Sequence, residues 1–179
     1  MERNKRTKSI NILAFDPSIT AFGWAVMCNN QVVACGCIKT APSEKKLRIR
    51  KGDDRTRRIT EINTILIKII EDNDIKLIVS ELPHGSQSAV AATALGMVTG
   101  QVQTLADAFS IGIEWYSEAD SKKNALGKKA AEKQEMIKKM KSIYEVPWTG
   151  IKYKDEAIAD AIAIYHVAKN HSTIIRYIF

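Results

Sequence analysis

Hydrophobic positions in the first forty residues fall into short runs divided by turn-forming pairs. Residues 9–16 hold the apolar run Ile10-Asn11-Ile12-Leu13-Ala14-Phe15 and close on Asp16, the pattern of a buried strand. Pro17-Ser18 breaks the run, Phe22 to Met27 resumes it, and Asn29-Asn30 can supply the φ > 0 conformations of a tight hairpin turn. Gln31 to Lys39 returns as a third strand, so an antiparallel meander opens the chain. Residues 40–52 are polar and basic, with Pro42 and Gly52, and predict a loop. From Asp54 the period changes. Ile59, Ile62, Leu66, Ile69 and Ile70 recur at helical spacing up to about Asn73.

A second apolar strand, Ile75 to Glu81, follows, and Pro83-His84-Gly85 ends it. Ser86 is positioned to cap a helix running to about Phe109. Ala92, Gly96 and Gly100 repeat every four residues along it. Such a face suits close packing on the sheet or against another subunit, and the sequence leaves both open. Residues 111–116 predict a short fifth strand. A polar segment with Gly127 comes next, then a lysine-rich helix over about 129–144, a Pro147-Trp148-Thr149-Gly150 loop and a last helix over about 155–170. The order is that of an α/β protein with a mixed sheet. With 179 residues, one domain over 1–179 is the economical reading. It has a basic arm at 1–8 and a tail at 172–179 whose role the pattern leaves unassigned.

Composition narrows the class. Apolar residues are 45% and charged residues 26% of the chain, as in soluble globular proteins. The longest apolar stretch in a helical context, Ala89 to Val98, is too short to span a bilayer. The first strand carries Asn11 and ends in Asp16, unlike a secretory signal. Cys28, Cys35 and Cys37 are odd in number, lack Cys-x-x-Cys spacing and read as structural thiols of a reducing, cytoplasmic compartment. The net charge of +7 is concentrated. Eight lysines lie between Lys122 and Lys141, and eight basic residues between Lys45 and Arg58. Such blocks are the footprint of a polyanion binder, with solvated helix faces and a loop as the plainer alternative.

Acids give the chain its chemistry. Asp16 ends the first strand, Glu81 ends the fourth, and Asp155-Glu156 and Asp160 open the last helix. If strands one and four were neighbours, the first two carboxylates would lie about 5 Å apart and would repel unless cations shared them. Glu156 and Asp160, four residues apart, share a helix face. Carboxylate oxygens suit Mg²⁺ and Mn²⁺, and two such ions support in-line attack on phosphate. Each acid taken alone also fits a strand-end turn or a helix N-terminal charge.

Four ordered segments resemble the RuvC-type Holliday junction resolvases of the RNase H-like superfamily. They are Phe15-Asp16-Pro17-Ser18-Ile19-Thr20-Ala21-Phe22-Gly23-Trp24; Glu81 to Ser86 with Ala94-Leu95-Gly96 and Gly100-Gln101-Val102; Leu126 to Gln134; and Ala159 to Ile164. They span about residues 10–168. The resemblance implies a five-stranded mixed sheet with strands one and four adjacent, flanked by helices. It implies a homodimer that cuts four-way DNA junctions, with no membrane and no small-molecule cofactor. It assigns metal ligands to Asp16, Glu81 and Asp160, two Mg²⁺ ions per site with Mn²⁺ able to substitute, and a transition-state-stabilising role to Lys133. The compact, divergent motifs are consistent with a phage-borne member acting in an infected host cell or with a bacterial one.

Two positions depart from the family pattern. Ala157 stands where an acid or histidine is usual, so Glu156 is the expected fourth ligand, with Asp155 the second choice. Pro83-His84 stands where an aromatic wedge is frequent. Either His84 stacks at the junction or strand opening works differently. Lys122, Lys123, Lys128, Lys129, Arg48, Arg50 and Lys51 are expected phosphate contacts, and His166 and His171 surface residues. Two further readings stand beside the resolvase. One is a non-catalytic junction-binding protein of the same fold, motivated by Ala157. The other is an actin- or sugar-kinase-like ATPase, motivated by Asp16-Pro17-Ser18-Ile19-Thr20 before Gly23, which needs a second domain that these residues do not contain.

Overall fold

The computed structural model describes residues 10–178 apart from 85–87 and 130–131. Strands β1 (Asn11–Asp16), β2 (Ala21–Cys28) and β3 (Gln31–Lys39) form the expected meander. Asn29 and Asn30 turn it at φ 49° and 63°, the left-handed pair that a two-residue hairpin needs. Strand β4 (Ile75–Glu81) lies parallel to β1, and β5 (Gly112–Tyr116) parallel to β4. The order is β3-β2-β1-β4-β5.

Alternation along the strands divides the core into two layers. Ile12, Ala14, Ala25, Met27, Leu77 and Val79 face helix α5 (Lys152–His171) and its neighbours α3 (Glu118–Leu126) and α4 (Lys133–Ile143). Leu13, Phe15, Phe22, Val26 and Ile78 face α1 (Lys51–Asp72) and α2 (Ala89–Ala108). Helix α5 is buried on most sides and rich in alanine, so its backbone comes close to the sheet. One close approach is at Gly23, where an added Cβ would stand 2.1 Å from the carbonyl oxygen of Ala157. Gly23 pairs with Asp16 across β2 and β1.

Several boundaries differ from the pattern. Helix α1 starts at Lys51, because Asp53 and Asp54 sit favourably in its first turn. Ser88 caps α2 by accepting from the Ala91 amide; Ser86, the expected cap, lies outside the described residues. Helix α3 was not expected. It buries only Ser121 and Ala125 and so shows little hydrophobic period. Its ends are nonetheless marked, by a Ser117–Asp120 capping box and by Gly127 at φ 73°. Helix α4 begins at Lys133 rather than near 129, and the tail carries a short helix α6 (Thr173–Ile178).

The small-residue face of α2 does not pack on the sheet. Ala92, Gly96 and Gly100 are exposed, and a Cβ on either glycine would meet nothing within 4 Å. No helix among the described residues is long and apolar enough to cross a membrane. The three thiols are free and partly buried, and burial pushes Cys35 up to about 11. His166 is partly buried rather than on the surface; its Nδ1 lies 2.9 Å from the Tyr144 hydroxyl.

Candidate active site

Parallel strands present their carboxyl ends on one side, the usual place for a site in an open α/β sheet. Here β1 and β4 pair from Asn11/Ile75 to Phe15/Ser80, so Asp16 and Glu81 are the next residues on neighbouring strands. The first turns of α5 descend on the same edge because Gly23 admits the Ala157 backbone. Asp16, Glu81, Glu156 and Asp160 thereby line one cavity of about 450 Å³. Helix α3 adds Glu118 and Lys122, and the start of α4 adds Lys133.

Electrostatics reports how tightly these groups are gathered. The Asp16 carboxyl is held well above the usual range, first by burial and then by the charges of Asp160 and Glu81. Burial, then Glu118 and Asp160, pushes Glu81 up to about 7. Burial pushes Asp160 up to about 6 against the pull of Lys133. All three feel the Lys133 ammonium, which also stands 3.9 Å from a Glu156 oxygen. Buried carboxyls that resist ionising and also face one another's charge are a site for cations.

The donor set is hard oxygen throughout and fits Mg²⁺ or Mn²⁺. Among the described residues, however, no three His, Cys, Asp or Glu side chains already stand in ligating geometry. The acids share a pocket and feel one another's charge without converging on a single point.

Asp155 needs correction as the alternative ligand. Its carboxylate is buried and turned to the preceding loop, accepting from the Thr149 amide and hydroxyl at 2.8 Å and from the Gly150 amide at 3.1 Å. Glu156, one residue on, lines the pocket. His84 is exposed and is not among the pocket residues.

The basic blocks are less free than their composition suggests. Arg50 forks onto Asp53, Arg57 bridges Asp54 and Glu61, and Arg58 is buried. Arg58 donates to Thr40 Oγ1 at 2.8 Å and to the Ile19 carbonyl and Thr20 Oγ1 at 3.0 Å. It braces the turn after Asp16 and is unavailable to a phosphate. Lys128 pairs with Glu135, and Lys122 with Glu118. Arg48, Lys51, Lys123 and Lys129 are exposed.

Sequence reasoning overlooked Glu118, Ser18, Thr20, Lys39 and Tyr153, all of which line the pocket. The Ser117–Asp120 capping box was the available cue for Glu118. It starts a helix directly after β5 and puts Glu118 in the first turn, at the same sheet edge.

The fold and the site together define an RNase H-like α/β protein with an acid-lined pocket at the carboxyl ends of β1 and β4. Known proteins agree. The chain is 27% identical over 168 residues to the crossover junction endodeoxyribonuclease RuvC of Rickettsia bellii, covering 89% of this chain and 99% of that one. It is 27% identical over 157 residues to the protein of the same name from Rickettsia akari, covering 85% and 93%. The structure of Thermus thermophilus RuvC with a Holliday junction substrate superimposes with a TM-score of 0.72 at 16% identity, over 92% of this chain and 96% of that one. The yeast mitochondrial Holliday junction resolvase Ydc2 gives 0.62 at 10% identity, over 95% and 85%. No protein-family model matches the chain. These likenesses bear out both the resemblance to RuvC-type resolvases and the RNase H-like sheet.

Proposed function

We propose that this protein is a metal-dependent, structure-specific endodeoxyribonuclease that cuts four-way DNA junctions in the cytoplasm of a bacterium or of a phage-infected host. The reading rests on one observation, the common pocket lined by Asp16, Glu81, Glu156 and Asp160 beside Lys133. It is supported by relatives named as crossover junction endodeoxyribonucleases along nearly their whole lengths.

Asp16, Glu81, Asp160 and Glu156 would hold two Mg²⁺ ions, or Mn²⁺ in their place. Bound there, the ions supply water activation and charge stabilisation at the leaving oxygen. Lys133 offsets the negative charge that builds on the phosphate. Its helical origin suits it to this, since it is the first residue of α4, where amide groups add positive potential. The exposed cations Arg48, Lys51, Lys123 and Lys129, together with Arg50, Lys128 and Lys122 once their ion pairs open, would take backbone phosphates. Binding would then be strongly salt-dependent, with little base readout. His84, exposed just beyond Glu81, is the candidate contact at the crossover.

A homodimer completes the reading, because paired incisions at a junction need two sites. The exposed Ala92, Gly96 and Gly100 face of α2 would let a second copy approach closely. Sedimentation should give a dimer for the parent and a monomer for Gly96→Glu; a monomeric parent would remove this part.

Cleavage of a four-way junction with Mg²⁺ tests the whole. The parent should cut, while Asp16→Asn and Glu81→Gln should not; either variant cutting like the parent refutes the assignment. A second reading, a non-catalytic junction-binding protein, is favoured by Ala157 and by the absence of a ready ligating triad among the described residues. Tight, salt-sensitive binding without cutting in Mg²⁺ or Mn²⁺ would select it.

A further inference from the structure

Three lysines line the candidate pocket, and they are not equivalent. Lys122 pairs with Glu118 at 2.5 Å, and Lys133 stands 3.9 Å from Glu156. Lys39 makes no ion pair with a carboxylate among the described residues. Its ammonium instead lies 4.7 Å from the centroid of the Tyr153 ring. An aromatic face holds a cation without cancelling its charge, so the ammonium stays available to an outside anion.

The pair is also fixed in place. Lys39 is the last residue of β3, paired with Ala21, and the next residue, Thr40, is buried. The Thr40 amide donates to the Thr20 carbonyl at 3.1 Å, and its hydroxyl accepts from Arg58 at 2.8 Å. Tyr153 sits in the first turn of α5, 38% exposed on the pocket lining. Seven residues separate Tyr153 from Asp160, about 10 Å along a helix axis. Lys39, held at the Tyr153 end of the pocket lining, is therefore set apart from Asp160 along the direction of α5.

We propose that Lys39, seated on the Tyr153 ring, is a second phosphate-binding position of this pocket, taking a backbone phosphate of the bound strand beside the scissile one. The ligand is a nucleic-acid phosphodiester recognised by charge and place, without base readout. The proposal deepens the nuclease reading and rests on it. Lys39 adds binding to the strand beside the acids, and Tyr153 is its positioning residue.

The test is binding of the full chain to a four-way junction at rising salt, with Ca²⁺ replacing Mg²⁺ so that the strands stay intact. Single-turnover cleavage in Mg²⁺ is measured alongside. Lys39→Met should lower the steepness of the logarithmic salt dependence by about one. Its affinity deficit should then shrink ~3-fold between about 50 and 200 mM salt. The cleavage loss should appear in the protein concentration needed for half-maximal rate rather than in the saturated rate. Lys39→Arg should restore the parental slope. Tyr153→Leu should weaken binding, Tyr153→Phe should not, and Tyr153→Leu should add little on top of Lys39→Met. A parental slope for Lys39→Met, or a loss confined to the saturated rate, overturns the proposal. A parent that neither binds nor cuts overturns the nuclease reading itself; a parent that does both while Lys39→Met matches it overturns only the second phosphate position.

Discussion

The two halves of the pocket are held by different means. Asp16 and Glu81 end neighbouring strands whose register is fixed by apolar residues on both faces of the sheet. A one-residue slip would turn either set of side chains to the wrong layer, so these two acids are set by the core itself. Glu118, Lys133, Glu156 and Asp160 come instead from the N-terminal halves of α3, α4 and α5. Caps and ion pairs position the first two, while α5 is held by its buried, alanine-rich face and the close approach at Gly23. The sheet half is rigid by construction. The α3 and α4 contributions rest on fewer buried residues, Ser121 and Ala125 in one and Met136 and Met140 in the other.

The contact that joins the halves should affect both stability and rate when it is broken. Gly23→Ala puts a methyl into the Ala157 backbone, which no rotamer change can relieve. Overpacking of this kind costs about 1–3 kcal/mol or more, and a displacement of α5 by about 1 Å is worth ~100-fold in rate. Junction cleavage by Gly23→Ala should fall at least that far while junction affinity changes little. Parental cleavage would show that α5 is not set by this contact.

Asp16→Asn separates function from stability on the rigid half. Removing a charge proposed to hold metal should cost several kcal/mol of transition-state stabilisation, ~1,000-fold in rate. Without divalent ions at pH 8 the same change should raise Tm, because it removes a carboxylate that burial, Asp160 and Glu81 all disfavour. Each kcal/mol so recovered is ~2–4 °C for a chain of this size. A variant less stable than its parent under those conditions would contradict crowding of the acids.

pH probes the same crowding more gently. Glu81 and Asp160 bind protons more tightly in the folded chain than in the unfolded one, with folded values of about 7 and about 6. Their contribution to stability is complete below the unfolded carboxylate range and is lost as pH rises through 6 to 7. Metal-free protein should therefore have a lower Tm at pH 8 than at pH 5, and Mg²⁺ should raise Tm at pH 8 but scarcely at pH 5. Equal Mg²⁺ effects at both pH values would place the binding elsewhere.

The smallest effect is expected at Glu118, an exposed acid of the pocket lining. Its charge is the second cause, after burial, of the raised Glu81 carboxyl. Glu118→Gln should shift the acid limb of the cleavage pH profile to lower pH and leave the plateau near that of the parent. An unmoved limb would remove Glu118 from the cluster.

Much of this was legible in the chain, for physical reasons. Short apolar runs marked the strands, and β3 and β4 match their expected bounds, because buried strands leave a hydrophobic signal that turns punctuate. The acids stood out as a set, because three separate segments each bring a carboxylate to the edge of the core. Helix α3 was not legible by periodicity, since it buries little. Its caps alone declared it. The choice between Asp155 and Glu156 could not be read either. Adjacent residues on a helix point about 100° apart, and only the fold shows that Asp155 turns to Thr149 and Gly150 while Glu156 faces the pocket. Arg58 misled for a similar reason, because a cation in a basic stretch looks the same whether it meets DNA or braces a turn.

The central claim is that acids distant in sequence bind divalent ions together. Anomalous scattering from Mn²⁺ soaked into crystals tests it most directly. Peaks lying between Asp16, Glu81 and Asp160, with Glu156 as a further ligand and Asp155 still on its loop, are the expected result. Manganese found only at surface carboxylates, with that pocket empty, would contradict the account.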